Sequence, residues 1–285
     1  MSLRSKKKAR KGIDIFLRLR PSKRPSSYWN IADDEEHVTF DVPAVESAGG
    51  TANNTRASHS FRFNGILGMK AEQDEVFSVV AKPPILSVMD GFNSTIFAYG
   101  QTGSGKTFTI TGGPERYVDR GIIPRALSMM FDQVKDRSDA QFQIHISYLE
   151  IYNNQGYDLL DPSHETKRLE DLPRVTMRED EDGNVHLRGL STHLASTEED
   201  ALNLLFLGDT NRAIAETPMN MASSVSRFCL NCARSRRCSH HRSPQLDLTL
   251  FCFFCSPNSV RIVCLPSLSK VGKVVATRFV EVNCT

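Results

Sequence analysis

The sequence predicts an α/β fold with a mixed central sheet, helices on both faces, and an incomplete C-terminal side. Three observations carry this prediction. Strand-like and helix-like segments alternate along residues 12–224. A glycine-rich run from Gly100 to Thr107 sits between a strand signal and a helix signal. The length of 285 residues, 40% hydrophobic and 24% charged, suffices for a sizeable core.

Taken in order, Met1 to Lys11 carries Arg4, Lys6, Lys7, Lys8, Arg10 and Lys11 with no apolar stretch behind it, so residues 1–11 read as a basic disordered extension and not a secretory signal. Ile13 to Arg20 alternates with period two and stops at Pro21, as a strand with one polar face does. Residues 22–60 are rich in Ser, Asn, Asp, Thr and Gly and read as loops with at most a weak hairpin. Glu72 to Met89 places Val76, Phe77, Val80, Ile85 and Val88 at helical spacing, with a break or kink expected at Pro83-Pro84. Ser94 to Tyr99 is a short apolar run that reads as a buried strand. Ser147 to Tyr152 alternates like a central strand, which makes Glu150 and Tyr152 as readily structural as functional. The longest strongly apolar stretch, Leu246 to Cys255, is half the roughly 20 residues a membrane helix needs, so no membrane partner is expected and the default compartment is the cytoplasm.

The run Gly100-Gln101-Thr102-Gly103-Ser104-Gly105-Lys106-Thr107 satisfies G-x-x-x-x-G-K-[ST] in the strand-to-helix context that gives the pattern a mechanism. Glycines at 100, 103 and 105 allow the tight curl that aims successive amide groups at phosphate oxygens, and a helix N-terminus adds partial positive charge. Lys106 would reach the β and γ phosphates, and the Thr107 hydroxyl suits Mg²⁺, which prefers hard oxygen ligands. A P-loop alone leaves the reaction open.

From Phe97 to Thr109, and again at Gly121-Ile122-Ile123-Pro124-Arg125, the sequence resembles the kinesin motor domain. The resemblance extends to Arg18-Leu19-Arg20-Pro21, to Phe61-Arg62-Phe63 with Gln73 and Val76-Phe77, and to Ser147–Asn153 with Asp158-Leu159-Leu160. Tyr157 to Pro162 and Leu204 to Asn220 are most similar to the kinesin-nine branch, whose members are associated with cilia and flagella. The resemblance implies a microtubule-based motor of the cytoskeleton that binds and hydrolyses ATP with Mg²⁺. It assigns Arg18, Arg20 and Pro21, with Phe108 beside them, to the adenine, and Gly100 to Thr107 to the phosphates. It assigns Lys106, Ser223 and Ser224 to catalysis and Thr107 and Ser224 to the metal. Loops near Asp158 to Val175 lie where the family makes secondary contacts to tubulin, and the basic N-terminus has a weaker claim on acidic tubulin tails.

After Ser224 the pattern breaks. The family's first switch reads N-x-x-S-S-R-S-H; here Asn220-Met221-Ala222-Ser223-Ser224 agrees and is followed by Val225-Ser226-Arg227. No D-x-x-G-x-E second switch follows, since Asp247 has Leu250 where the glycine belongs. Composition changes with it: all seven Cys and eight Lys or Arg against two acidic residues fall in 229–285, which is +6 where the first 228 residues are −4. Residues 12–224 therefore read as a partial motor domain and 225–285 as an unrelated, poorly ordered tail, consistent with translation through an unspliced intron or a shifted frame. Losing one charge-stabilising group in phosphoryl transfer costs roughly 10³ to 10⁵ in rate, so the reading that competes with an ATP-driven motor is a non-motile nucleotide-binding or non-functional fragment. In the tail, Cys229-x₂-Cys232 and Cys252-x₂-Cys255, 19 residues apart with Cys238, His240 and His241 between, offer a zinc spacing that the apolar setting of the second pair weakens. The short basic run from Arg234 to Arg242 reads as solvated, and no nucleic-acid partner is expected.

Overall fold

The computed structural model describes residues 13–23, 27–41, 58–90, 92–101, 103–113, 115–137, 140–152, 154–165, 169–181, 185–215, 225–236, 246–255 and 275–282. The basic extension over residues 1–11 and the first-switch residues Asn220 to Ser224 lie outside them.

The predicted first strand is β1 (Asp14–Leu19). Its period-two pattern serves two layers: Leu17 and Leu19 pack with Val38, Trp29 and Ile31, whereas Phe16 packs against the main core. The region read as loops contains a small antiparallel sheet of β2 (Trp29–Ile31), β3 (His37–Asp41) and β4 (Ser58–Arg62). Its strands are short and largely polar, and only one side meets the core, so composition hid them. β5 (Gly65–Leu67) returns to pair in parallel with β1.

The helical run is continuous through the proline pair. α1 (Gln73–Val76) passes into a π-turn, Phe77–Ala81, and then α2 (Lys82–Met89), with Pro83 and Pro84 in the first turn of α2. A proline lacks an N–H, and in the first turn of a fresh helical register none is required. The expected break is thus a change of register, with Val76, Val80, Ile85, Val88 and Met89 all buried on one side.

β6 (Ser94–Gly100) runs into α3 (Lys106–Ile110), followed by α4 (Ile122–Asp136) and the long β7 (Ala140–Tyr152). Then come β8 (Gln155–Asp158), β9 (Arg174–Glu179), β10 (Val185–Arg188), β11 (His193–Ala195) and α5 (Glu198–Ala215). Residues 225–285, set apart as a tail by composition, contribute β12 (Val225–Arg236), β13 (Leu246–Cys255) and β14 (Val275–Val282) to the main sheet. The order is β10-β9-β8-β7-β12-β13-β6-β14-β1-β5, with β11 also on β7. Hydrogen-bonding demand gives the reason: without these strands β6 and β7 would each present an open edge inside the sheet.

Ile96 and Ala98 of β6 and Ile144, Ile146 and Tyr148 of β7 form the floor of one core, onto which α2, α4 and α5 place Ile85, Leu127, Met130 and Leu205. All five helices among the described residues bury apolar side chains in it. No helix among the described residues is long and apolar enough to cross a membrane.

Candidate functional site

β13, β6, β14 and β1 are mutually parallel, and their registers align Cys255 with Tyr99, Glu281 with Gly100 and Val282 with Leu19. The glycine-rich loop and the Arg20-Pro21 exit of β1 therefore leave from one edge, the carboxyl ends of the strands, where α/β sheets bind ligands.

Within the loop, Gly103 (φ +79°) and Gly105 (φ +103°) adopt left-handed backbone, which turns the chain sharply enough to line a concavity with amides. A side chain at either position is strained, so both glycines are required by geometry. Ser104 between them is fully buried, its hydroxyl without a hydrogen-bond partner among the described residues, while its amide donates to Gln101 O at 3.2 Å. Lys106 Nζ donates to Gly100 O at 2.9 Å and Gln101 O at 2.8 Å, which holds the ammonium against the loop. Thr107 is exposed on the first turn of α3. A curl of left-handed glycines, an ammonium and an accessible hydroxyl fit a nucleotide polyphosphate with a hard cation. α3 has only five residues, so the loop and Lys106, more than a helix dipole, supply the positive potential.

On the base side the predicted residues divide by depth. Arg20 and Pro21 are exposed, with Arg20 Nη1 donating to Gly103 O and so tying the end of β1 to the loop. Phe108 is also exposed, at 43%. Arg18 is only 6% exposed; it donates to Gln73 Oε1 at 2.9 Å and Thr109 Oγ1 at 2.7 Å, and its guanidinium carbon lies 5.7 Å from the Phe108 ring centroid. Arg18 thus lies against the Phe108 ring from within, and Arg20, Pro21 and Phe108 are the exposed members of the set. Sequence reasoning gave Gln73 no role, because nothing in its neighbourhood in the chain predicts that a helix-start glutamine meets the loop.

Thr102, Ser223 and Ser224, assigned to phosphate, catalysis and metal, lie outside the described residues. The helix leading to that first-switch segment is α5. Gly208 lies flat on the Tyr148 ring, and Tyr148 OH donates to Asp209 Oδ1 at 2.6 Å, with Arg212 Nε 3.6 Å from the same oxygen. Burial, then the Asp209 charge, pushes the Tyr148 phenol well above its ordinary range. Glu150 is buried in β7. Asp158, near the expected tubulin-facing loops, is also buried and accepts from the Leu160 and Ser191 amides at 2.9 and 2.7 Å, a structural role.

Among the described residues, no group of three His, Cys, Asp or Glu side chains is placed to hold a metal. Cys238, His240 and His241 lie outside the described residues.

Comparison with known proteins converges on one family. The family model of the kinesin motor domain matches residues 18–250. The chain is 39% identical over 217 residues to kinesin-like protein KLP1 of Chlamydomonas reinhardtii and 40% identical over 225 residues to kinesin-like protein KIF9 of Mus musculus, each match covering 76% of this chain and 27% of the relative. It therefore spans about a quarter of the length of these curated relatives. A solved structure of a fast kinesin superimposes with a TM-score of 0.76 at 21% identity, covering 95% of this chain and 85% of the other, a likeness of fold.

Proposed function

The chain belongs to the kinesin motor family, and from that premise we propose that it binds Mg-ATP at the Gly100–Thr107 loop, as the nucleotide domain of a microtubule-based motor. The observation that carries the reading is the loop itself: two left-handed glycines and a lysine, set at the carboxyl ends of parallel strands. Lys106 would exchange the loop carbonyls for phosphate oxygens, Thr107 and Ser224 would offer hydroxyls to Mg²⁺, and Arg20, Pro21 and Phe108 would hold the adenine over Arg18. ATP bound there supplies the phosphoryl group whose loss drives a motor; this chain's part is to hold and orient it. Microtubules are the proposed track, and the kinesin-nine wording of Tyr157–Pro162 and Leu204–Asn220 supports a cytoskeletal location in a cilium or flagellum.

A specific observation favours a second reading, a nucleotide-binding fragment without motility. Val225-Ser226-Arg227 stands where the family's Arg-Ser-His belongs, and no D-x-x-G-x-E follows. Steady-state ATP hydrolysis with and without microtubules, beside equilibrium binding of a fluorescent ATP, separates the two. Lys106→Ala is expected to weaken binding about ten- to a hundredfold, the worth of one or two charge-assisted hydrogen bonds. Binding with no rise in turnover on microtubules selects the fragment. Microtubule-stimulated turnover that Lys106→Ala abolishes selects the motor and means that residues 225–285 supply the sensing groups. Absence of any binding by the unmodified chain overturns both.

A further inference from the structure

We propose that Gln73 is a positioning residue for the nucleotide base, acting through Arg18 and the backbone of Phe108; the inference rests on the nucleotide reading above. Gln73 opens α1 and is 4% exposed. Its Oε1 accepts from Arg18, and its Nε2 donates to Phe108 O at 2.6 Å and to Asp119 O at 3.0 Å. Two carbonyl oxygens can face only the NH₂ end of an amide, so chemistry fixes the orientation of the side chain, and both amide protons are committed. One buried group thereby joins three segments that are remote in the chain: the end of β1, the first turn after the glycine-rich loop, and the turn Tyr117–Asp119.

Two of these segments also come near the Phe108 ring: the Arg18 guanidinium carbon lies 5.7 Å from its centroid, and Gly113, bonded to Asp119, lies close to its edge. Asp119 O also accepts from the Gly113 amide at 3.0 Å, and Gly112 has φ +97° with no room for a side chain against the Asp119 and Arg120 backbone, so the hairpin that closes this side has a fixed shape. Next to Gln73, Asp74 Oδ1 accepts from Arg125 Nη1 at 3.0 Å, and Arg125 in turn donates to Arg120 O and Val118 O, which doubles the tie between α1 and the hairpin. None of these bonds touches the loop amides or Lys106. Disturbing Gln73 shifts the height and tilt of the Phe108 ring while leaving the phosphate cradle in place, because Lys106 is held by Gly100 O and Gln101 O.

The experiment uses the full 285-residue chain, displacing a fluorescent ATP with unlabelled ATP, which has a base, and with inorganic tripolyphosphate, which has none. Gln73→Glu keeps an acceptor for Arg18 and turns carboxylate oxygens toward two carbonyls; Gln73→Met keeps the volume and removes every hydrogen bond. Each is expected to weaken ATP about tenfold, the equivalent of one or two lost hydrogen bonds, while the tripolyphosphate competition stays within about twofold. Equal losses for ATP and tripolyphosphate, or no change in ATP, overturn the positioning role. If Gln73→Met fails to fold, as thermal unfolding reports, Gln73→Glu decides, since its ion pair with Arg18 preserves that tie to β1. If the unmodified chain displaces the label with neither competitor, the nucleotide reading itself fails, an outcome distinct from unaltered binding in the variants.

Discussion

Gly208 shows how a single position can be dictated from far along the chain. A methyl group there would overlap the Tyr148 ring, so Gly208→Ala pries α5 from the sheet. It is expected to cost about 1–3 kcal/mol, the usual penalty for overpacking, read as a lowered denaturant midpoint at unchanged slope. Tyr148→Phe preserves the ring and removes the bond to Asp209; leaving that carboxylate short of a donor is expected to cost about 1–3 kcal/mol. The pair has a pH signature. The Tyr148 phenol is raised by burial and by Asp209, so above about pH 10 the unfolded chain gives up this proton while the folded chain keeps it. Fewer protons on the unfolded state make stability fall as pH rises through that window, and Tyr148→Phe is expected to flatten the alkaline decline in urea midpoints. The glycines at 103 and 105 were legible in the sequence, because a local motif explains them. Gly208 and Gln73 were not, since the partners that give them meaning belong to other elements.

Among the elements, the strands at 13–20, 94–99 and 147–152 and the helix at 72–89 were read in kind, whereas α4 and α5 were not read as helices at all. The apolar spacing from Val76 to Met89 predicted a helix, yet Pro83-Pro84 pointed to a break where a π-turn changes register instead. A proline rule is local, whereas the core beneath the run holds Val80, Ile85 and Met89 in place regardless. Ile85→Ala, at a fully buried site just past the prolines, is expected to cost about 2–5 kcal/mol and lower the melting temperature accordingly. β2, β3 and β4 registered only as a weak hairpin among loops, because strands of three to five residues with one wet face carry too few apolar positions for a period to stand out.

Over the whole molecule, composition and sheet order divide the chain differently. Charge and cysteine content set residues 225–285 apart, but a sheet recruits strands by edge and register, and β12 pairs along the length of β7 from Val225 opposite Ile151 to Arg236 opposite Ala140. A chain ending at residue 224 leaves β6 and β7 without these neighbours and is expected to elute as soluble aggregate or pellet, where the 285-residue chain elutes at its monomer or oligomer volume. The site's frame was better anticipated than its wiring, since a strand, a glycine loop and a helix are contiguous in sequence and the Arg18, Gln73 and Phe108 cluster is not. The register of β1 against β14 carries a further meaning, for the order of events in time. Asp14 sits opposite Thr277 and Leu19 opposite Val282, so β1 waits for a strand far along the chain before its ladder is complete. Pairings of such sequence separation fold slowly, so the half-made sheet keeps an unpaired strand edge exposed for that interval, a species open to aggregation until β14 closes it.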